Sequence, residues 1–224
     1  MLKACQMHLW EACETGDVAE VKRCLAEGAT LHEKNRFGWT ALHRACMGGS
    51  AECVSLVLPQ DEKARAACIA QPDTEGNAPL HIAAGCAHAA VVSLLLREGA
   101  EVHKRKGTAD EMKEGGATPM HTACKALAGT IKEDPAQIDA VRQERLIDAI
   151  IALLSGGGLL EAPDQRGNMA ASFLPKPMLL RLLARVRNEG GVGHEAPPPQ
   201  PSPPEEAPPP VAPAPPVGES GVVV

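Results

Sequence analysis

A chain of 224 residues is long enough for one domain, or for one domain and a tail. Apolar residues make up 44% but aromatics only 2%, with no tyrosine; a core of Ala, Leu, Val and Cys suits stacked helices and argues against a sandwich or barrel. The formal charge of −6 comes largely from four glutamates in residues 191–224, leaving a near-neutral body without the basic stripe of a nucleic-acid binder, and no apolar run approaches the ~18 residues of a membrane span.

In chain order, the opening MLKACQMHLWEACETGD is broken by polar residues and is not expected to be a signal peptide. Within it HLWEAC, from His8 to Cys13, has an apolar-x-x-Ala-Cys frame. From Val18, VAEVKRCLAEGA places apolar residues at helical spacing. WTALHRAC (Trp39 to Cys46) repeats the first frame, and AECVSLVL from Ala51 repeats the second. After an insert at 59–72, PQDEKARAACIAQP, the pair recurs as NAPLHIAA (Asn77 to Ala84) and AAVVSLLLREGA from Ala89. A polar insert at 104–116 precedes ATPMHTAC (Ala117 to Cys124). A third insert, 126–145, falls between the two helices of this unit, and Pro135 is expected to open a long second helix running to Leu154. GNMAASFL (Gly167 to Leu174) is a degenerate copy with Ser172 where histidine stands elsewhere, and the amphipathic MLLRLLARVRNEG follows it.

Taking Ala12, Ala45, Ala83 and Ala123 as a common mark, the steps are 33, 38 and 40 residues. Local signals agree with helix pairs. Thr40 and Thr118 stand where a hydroxyl can cap a first helix, and Pro79 and Pro119 fall at its first position. Gly28 and Gly99 follow second helices, where a left-handed residue ends them, and Gly38, Gly76 and Gly167 mark hairpin-like turns into the next unit. One such pair has too little apolar surface to stand alone, so neighbours must stack.

The Thr-Pro-Leu-His-x-Ala-Ala motif, short first helix, Gly turn, Val/Leu-rich second helix and Gly-Ala ending resemble the ankyrin repeat over roughly residues 4–187. The resemblance implies an all-α solenoid of about five helix-turn-helix repeats with β-hairpin-like fingers, over a domain at 1–190, with the degenerate fifth repeat as a C-terminal cap. It also implies a groove, lined by first helices and fingers, that grips a protein partner. The positions it brings to that groove are Arg36, Phe37, Trp39, Met47, Thr74, Glu75, Asn77, Cys86, Lys125, Arg166 and Asn168. Phe37 and Trp39 share one finger; Trp is enriched in binding hot spots, and it can equally pack on its own finger.

His43 with Cys46 and His121 with Cys124 have an i, i+3 spacing that could direct two ligands to a metal. The repeat itself explains their placement, and equivalent positions on stacked helices lie about 10 Å apart, too far to share one ion. No catalytic, cofactor or metal site is therefore expected, nor any Gly-rich phosphate loop. Cys13, Cys24, Cys46, Cys53 and Cys124 sit within apolar helical patterns, as reduced thiols of a cytoplasmic, or nuclear, protein would.

Residues 191–224 hold twelve prolines and only acidic charge, so this tail is expected to be disordered with polyproline II character. Its PxxP spacings could dock to SH3 or WW domains, or the tail could serve as a spacer. The expected function is a non-catalytic protein-binding scaffold or adaptor, monomeric by itself, without nucleic-acid or membrane partners. The alternative is a regulatory or structural subunit built into a larger, possibly enzymatic, complex.

Overall fold

The computed structural model describes residues 2–107, 116–132 and 140–189. Residues 108–115 of the finger insert at 104–116, the helix start at Pro135 and the tail at 191–224 lie outside the described residues. Met1–Glu189 form one compact unit.

Among the described residues there are ten α-helices and no strand. Helices α1 (Leu2–Thr15) and α2 (Val18–Ala26) make the first pair, and α3 (Ala41–Gly48) and α4 (Ala51–Val57) the second. A separate α5 (Glu62–Ala70) precedes the third pair, α6 (Pro79–Gly85) and α7 (Ala89–Arg97). The fourth pair is α8 (Pro119–Lys132) with α9 (Ala140–Ser155). A 3-10 turn at Ala170–Phe173 stands where the fifth first helix would be, followed by α10 (Lys176–Glu189).

First helices stack in the order α1, α3, α6, α8 and then the 3-10 turn, while α2, α4, α7 and α9 form a second row beside them. The four marking alanines explain how the first row closes up: Ala12, Ala45, Ala83 and Ala123 are all buried, and a methyl group lets neighbouring helices approach. Gly48 carries this further, because a Cβ there would lie 2.3 Å from the Glu14 carbonyl oxygen of α1. Leu9, Leu80 and Met120 from the first row meet Leu95, Ile147, Ile150 and Leu153 from the second in one continuous core.

Polar side chains start the second-row helices. Asp17 accepts from the N–H of Glu20 and Ser50 from that of Cys53. At the other end, Ala29 N–H reaches Cys24 C=O and Ala100 N–H reaches Leu95 C=O, with Gly28 and Gly99 left-handed at φ 91° and 92°. Between the helices of the third pair, Ala87 takes φ 68° where Gly16 and Gly49 take 79° and 82° in the first two.

Three expectations are corrected. The insert at 59–72 contains α5, capped by Asp61 on the N–H of Ala64, with Cys68 and Ile69 buried and Arg65 bridged at 2.6 Å to Glu98, which follows α7. Much of the insert at 126–145 is helical extension, since α8 runs on to Lys132 and α9 begins at Ala140. The Thr40 and Thr118 hydroxyls do not cap a helix N–H; they turn to histidine rings.

Candidate functional site: the fingers and first-helix face

Three fingers among the described residues are each built by one side-chain oxygen. Asn35 Oδ1 accepts from the N–H groups of Phe37 and Trp39 at 2.9 and 3.0 Å. Asp73 Oδ1 accepts from Glu75 and Asn77, each at 2.8 Å, and Asp164 Oδ1 from Arg166 and Asn168, each at 2.8 Å. A backbone bond from the first to the last residue of each turn closes it: Asn35 to Trp39, Asp73 to Asn77, Asp164 to Asn168. The shared spacing is Asn or Asp three residues before the finger glycine, a local turn chemistry these short acceptors favour.

Histidines then tie α3, α6 and α8 each to the next finger. His43 Nδ1 accepts the N–H of Thr40 at 3.2 Å and lies 2.9 Å from the Thr40 hydroxyl, so the proton sits on Nε2, which donates to Asn77 C=O at 3.4 Å. His81 does the same between Ala78 N–H and Ala117 C=O, and His121 between Thr118 N–H and Asn168 C=O. Burial lowers the pKa of His43 and takes that of His81 down to about 4, which keeps the rings neutral. These rings are structural links. Among the described residues no group of three His, Cys, Asp or Glu is placed to hold a metal, and the eight cysteines are free thiols, all buried except Cys86.

In the first pair the histidine position holds Trp10, two residues before the marking Ala12. Its indole N–H is buried without a partner, as is Arg44 Nε.

The eleven candidate residues separate by environment. Trp39 is half-buried, its Nε1 donating to Asp73 Oδ2 at 3.0 Å and its ring lying under the Arg44 guanidinium at 5.1 Å. Asn77 is buried, with its amide bonded to Asp73 and Glu75. Both are engaged inside the fold. Phe37, by contrast, is 48% exposed at the finger tip, with the Arg36 guanidinium 4.6 Å from its ring centre. Its carbonyl is pinned by the N–H and hydroxyl of Thr74, at 3.1 and 3.0 Å. Thr74 and Glu75 are exposed on the next finger, Met47 is half-buried with its carbonyl accepting from His88 Nε2 at 2.9 Å, and Cys86 is exposed.

Lys125, Arg166 and Asn168 come together. They line a concavity of about 260 Å³ between α8 and the last finger, joined by Lys106, Asp164 and Phe173. Two residues past each marking alanine, the stacked first helices present Glu14, Met47, Gly85 and Lys125 in turn. Glu14 is ion-paired with Arg44 of α3, and Lys125 is exposed. Sequence reasoning missed Lys106 and Asp164; the Asn/Asp-x-x-Gly spacing would have found the second.

Residues 9–106 match the family described as Ankyrin repeats (3 copies). The chain is 30% identical over 95 residues to the Transient receptor potential cation channel subfamily A member 1 of Drosophila melanogaster, covering 42% of this chain and 8% of that protein. It is 32% identical over 94 residues to the RelA-associated inhibitor of Mus musculus, covering 42% and 11%. Against Ankyrin repeat domain-containing protein 63 of Homo sapiens it is 31% identical over 110 residues, covering 49% and 27%. The chain therefore spans only about a quarter or less of these relatives' own length. With the stacked helix pairs and fingers described above, residues 9–106 are ankyrin repeats and the described residues form an all-α ankyrin-repeat solenoid. The fourth and fifth units lie beyond the matched segment and continue the same finger and helix-row arrangement. Ankyrin repeats are protein-interaction modules without chemistry of their own.

Proposed function

We propose that the chain is a non-catalytic scaffold or adaptor whose fingers and first-helix face hold a protein partner. One observation carries this reading: Phe37 is an exposed ring on a backbone fixed at both sides, by Asn35 within the finger and by Thr74 from the next. A rigid aromatic anchor binds with little ordering cost, and such residues dominate interface energetics. The other conspicuous groups of the face, the histidines, Asp73 and Trp39, hold the repeats together and leave chemistry unsupported. Free thiols throughout the core favour a reducing compartment, the cytoplasm or nucleus.

A second reading, a subunit built permanently into an assembly, has its own support at α10. Arg181 and Arg185 tie that helix to Glu144 and Asp148 of α9, while Leu180 and Leu183 are 66% and 47% exposed. Affinity capture from native extract with the intact chain and with Phe37→Ala, both verified as equally helical, tests the first reading. Specific partners lost in the variant support it; co-purification at fixed stoichiometry unaffected by the variant favours the second.

A further inference from the structure

We infer that the solvent face of α10 docks an amphipathic α-helix of a partner, one whose apolar stripe is flanked by carboxylates. The inference rests on the assembly reading of α10 and adds what that face takes. Second-row helices inside the stack bury apolar pairs three residues apart. Val54 with Val57, Val92 with Leu95 and Ile150 with Leu153 are each no more than 1% exposed. α7, for one, lies between α4 and α9. Its run Val91-Val92-Ser93-Leu94-Leu95 is matched in α10 by Leu179-Leu180-Arg181-Leu182-Leu183. In α7 the four apolar members are all buried. In α10 Leu182 is buried and Leu179 half-buried, while Leu180 and Leu183 stand 66% and 47% exposed. The helix thus has the sequence of an inner member of the row with its outer side open.

The other end of the row shows how this chain closes an end. In α2 the buried residues are Val21 and Cys24, and the solvent side is charged, with Arg23 bridging Glu20 and Glu27. α10 instead exposes Leu180, Leu183 and Ala184, which share one face at i, i+3 and i+4. Ion pairs keep that face outward. Arg181 reaches Glu144, and Arg185 reaches Glu144 and Asp148 at 2.6 Å each, so the leucines cannot roll inward without breaking these links to α9.

Charge selects the occupant. Lys176 stands four residues before Leu180 and Arg187 three after Ala184, so each end of the apolar stripe has an exposed cation. Along its length α10 holds four cations against one carboxylate, Glu189. A second copy of α10, laid either way round, would set these cations against like charges. A partner helix continues the row at the ~10 Å spacing of packed helices, and acidic flanks meet Lys176 and Arg187.

The test uses the full chain and two labelled helical peptides of about five turns with the same leucine stripe, one flanked by glutamates and the other by lysines. Fluorescence anisotropy is expected to show the glutamate peptide binding at least about fivefold more tightly, with the difference shrinking as salt rises. Leu180→Gln/Leu183→Gln exchanges exposed side chains for another good helix former and is expected to abolish binding of both peptides. Lys176→Gln/Arg187→Gln is expected to remove the preference between them. Circular dichroism verifies equal helicity. Equal binding of the two peptides, binding of neither, or undiminished binding by Leu180→Gln/Leu183→Gln would overturn the inference. So would a dimer in sedimentation velocity that the same variant dissolves, since a second copy would then cover the face. Affinity capture separates this failure from that of the assembly reading. A partner held at fixed stoichiometry by Leu180→Gln/Leu183→Gln, with no peptide preference in the parent chain, removes the α10 site and leaves the assembly reading. A peptide preference with no co-purifying partner keeps the site and removes the assembly reading.

Discussion

The indole N–H of Trp39 donates to Asp73 Oδ2 at 3.0 Å, joining the finger of the second repeat to that of the third. Asp73 is buried and already accepts from Glu75 and Asn77, so its carboxylate is the hub of two fingers at once. Trp10, at the equivalent of the histidine position one repeat earlier, has a buried indole N–H with no acceptor.

The two tryptophans give a matched pair of substitutions. Trp39→Phe and Trp10→Phe remove the same ring atoms, but only the first breaks a hydrogen bond to a charged group. Trp39→Phe is expected to cost about 1.5–3 kcal/mol more than Trp10→Phe. Urea unfolding of both variants against the parent chain measures the difference; equal losses would remove Trp39 from the structural role assigned to it.

Stability should depend on pH through the buried histidines. Burial lowers the folded pKa of His43 and His81, the latter to about 4 from an ordinary 6.5. The unfolded chain therefore takes up protons that the folded chain refuses, and stability present above about pH 6.5 is lost as pH falls toward 4. Denaturant midpoints taken across that range are expected to fall with pH, and His81→Leu to flatten part of the slope. The same variant should lower stability at pH 7, since it strands Ala78 N–H and Ala117 C=O.

Thiol reactivity should sort by burial. Desolvation pushes Cys13 and Cys124 up to about 12, with the neighbouring Cys53 and Cys24 adding to the shift at Cys13. Cys86 is exposed, though desolvation holds it above its ordinary value and slows it. A bulky maleimide at pH 8 is expected to label one thiol, Cys86, in the folded chain, and all eight only after denaturation. Mass spectrometry counts the adducts.

Glycines in the fingers and at helix ends should differ in tolerance. Gly28 and Gly38 both have positive φ, but a Cβ at Gly28 meets open space, whereas one at Gly38 would lie 2.8 Å from Thr74 N. Gly28→Ala is expected to cost about 1–2 kcal/mol for the left-handed backbone alone. Gly38→Ala is expected to cost more, because the approach of adjacent fingers must open to admit the methyl. Thermal or urea unfolding compares them.

Much of the architecture was legible because it repeats. VAEVKRCLAEGA, AECVSLVL and AAVVSLLLREGA read as second helices from apolar spacing, and α2, α4 and α7 occupy their first nine, seven and nine residues. Less legible was α5: only Cys68 and Ile69 of it are buried, so its sequence carries little helical periodicity and reads as a polar link. The extension of α8 through Leu127 and Thr130 was hidden because the family's short first helix set the expectation. At the site, the family resemblance places Asn77 and Trp39 in the groove beside Phe37, although the first two are engaged by Asp73. Trp39 turns to an acceptor one repeat away, a pairing with no signature within either segment, whereas Asn77 is engaged within its own finger. The convergence of Lys106, Lys125 and Arg166 depends in the same way on how distant segments stack.

The most direct test of the docking face is the affinity of a captured partner for two variants of equal helicity, Phe37→Ala at the finger tip and Ser93→Arg on the exposed side of α7. Loss of about tenfold or more with Phe37→Ala, and no change with Ser93→Arg, is the expected result. Binding that survives Phe37→Ala and falls with Ser93→Arg would place the partner on the second-helix row and contradict the assignment of the fingers and first helices as the binding face.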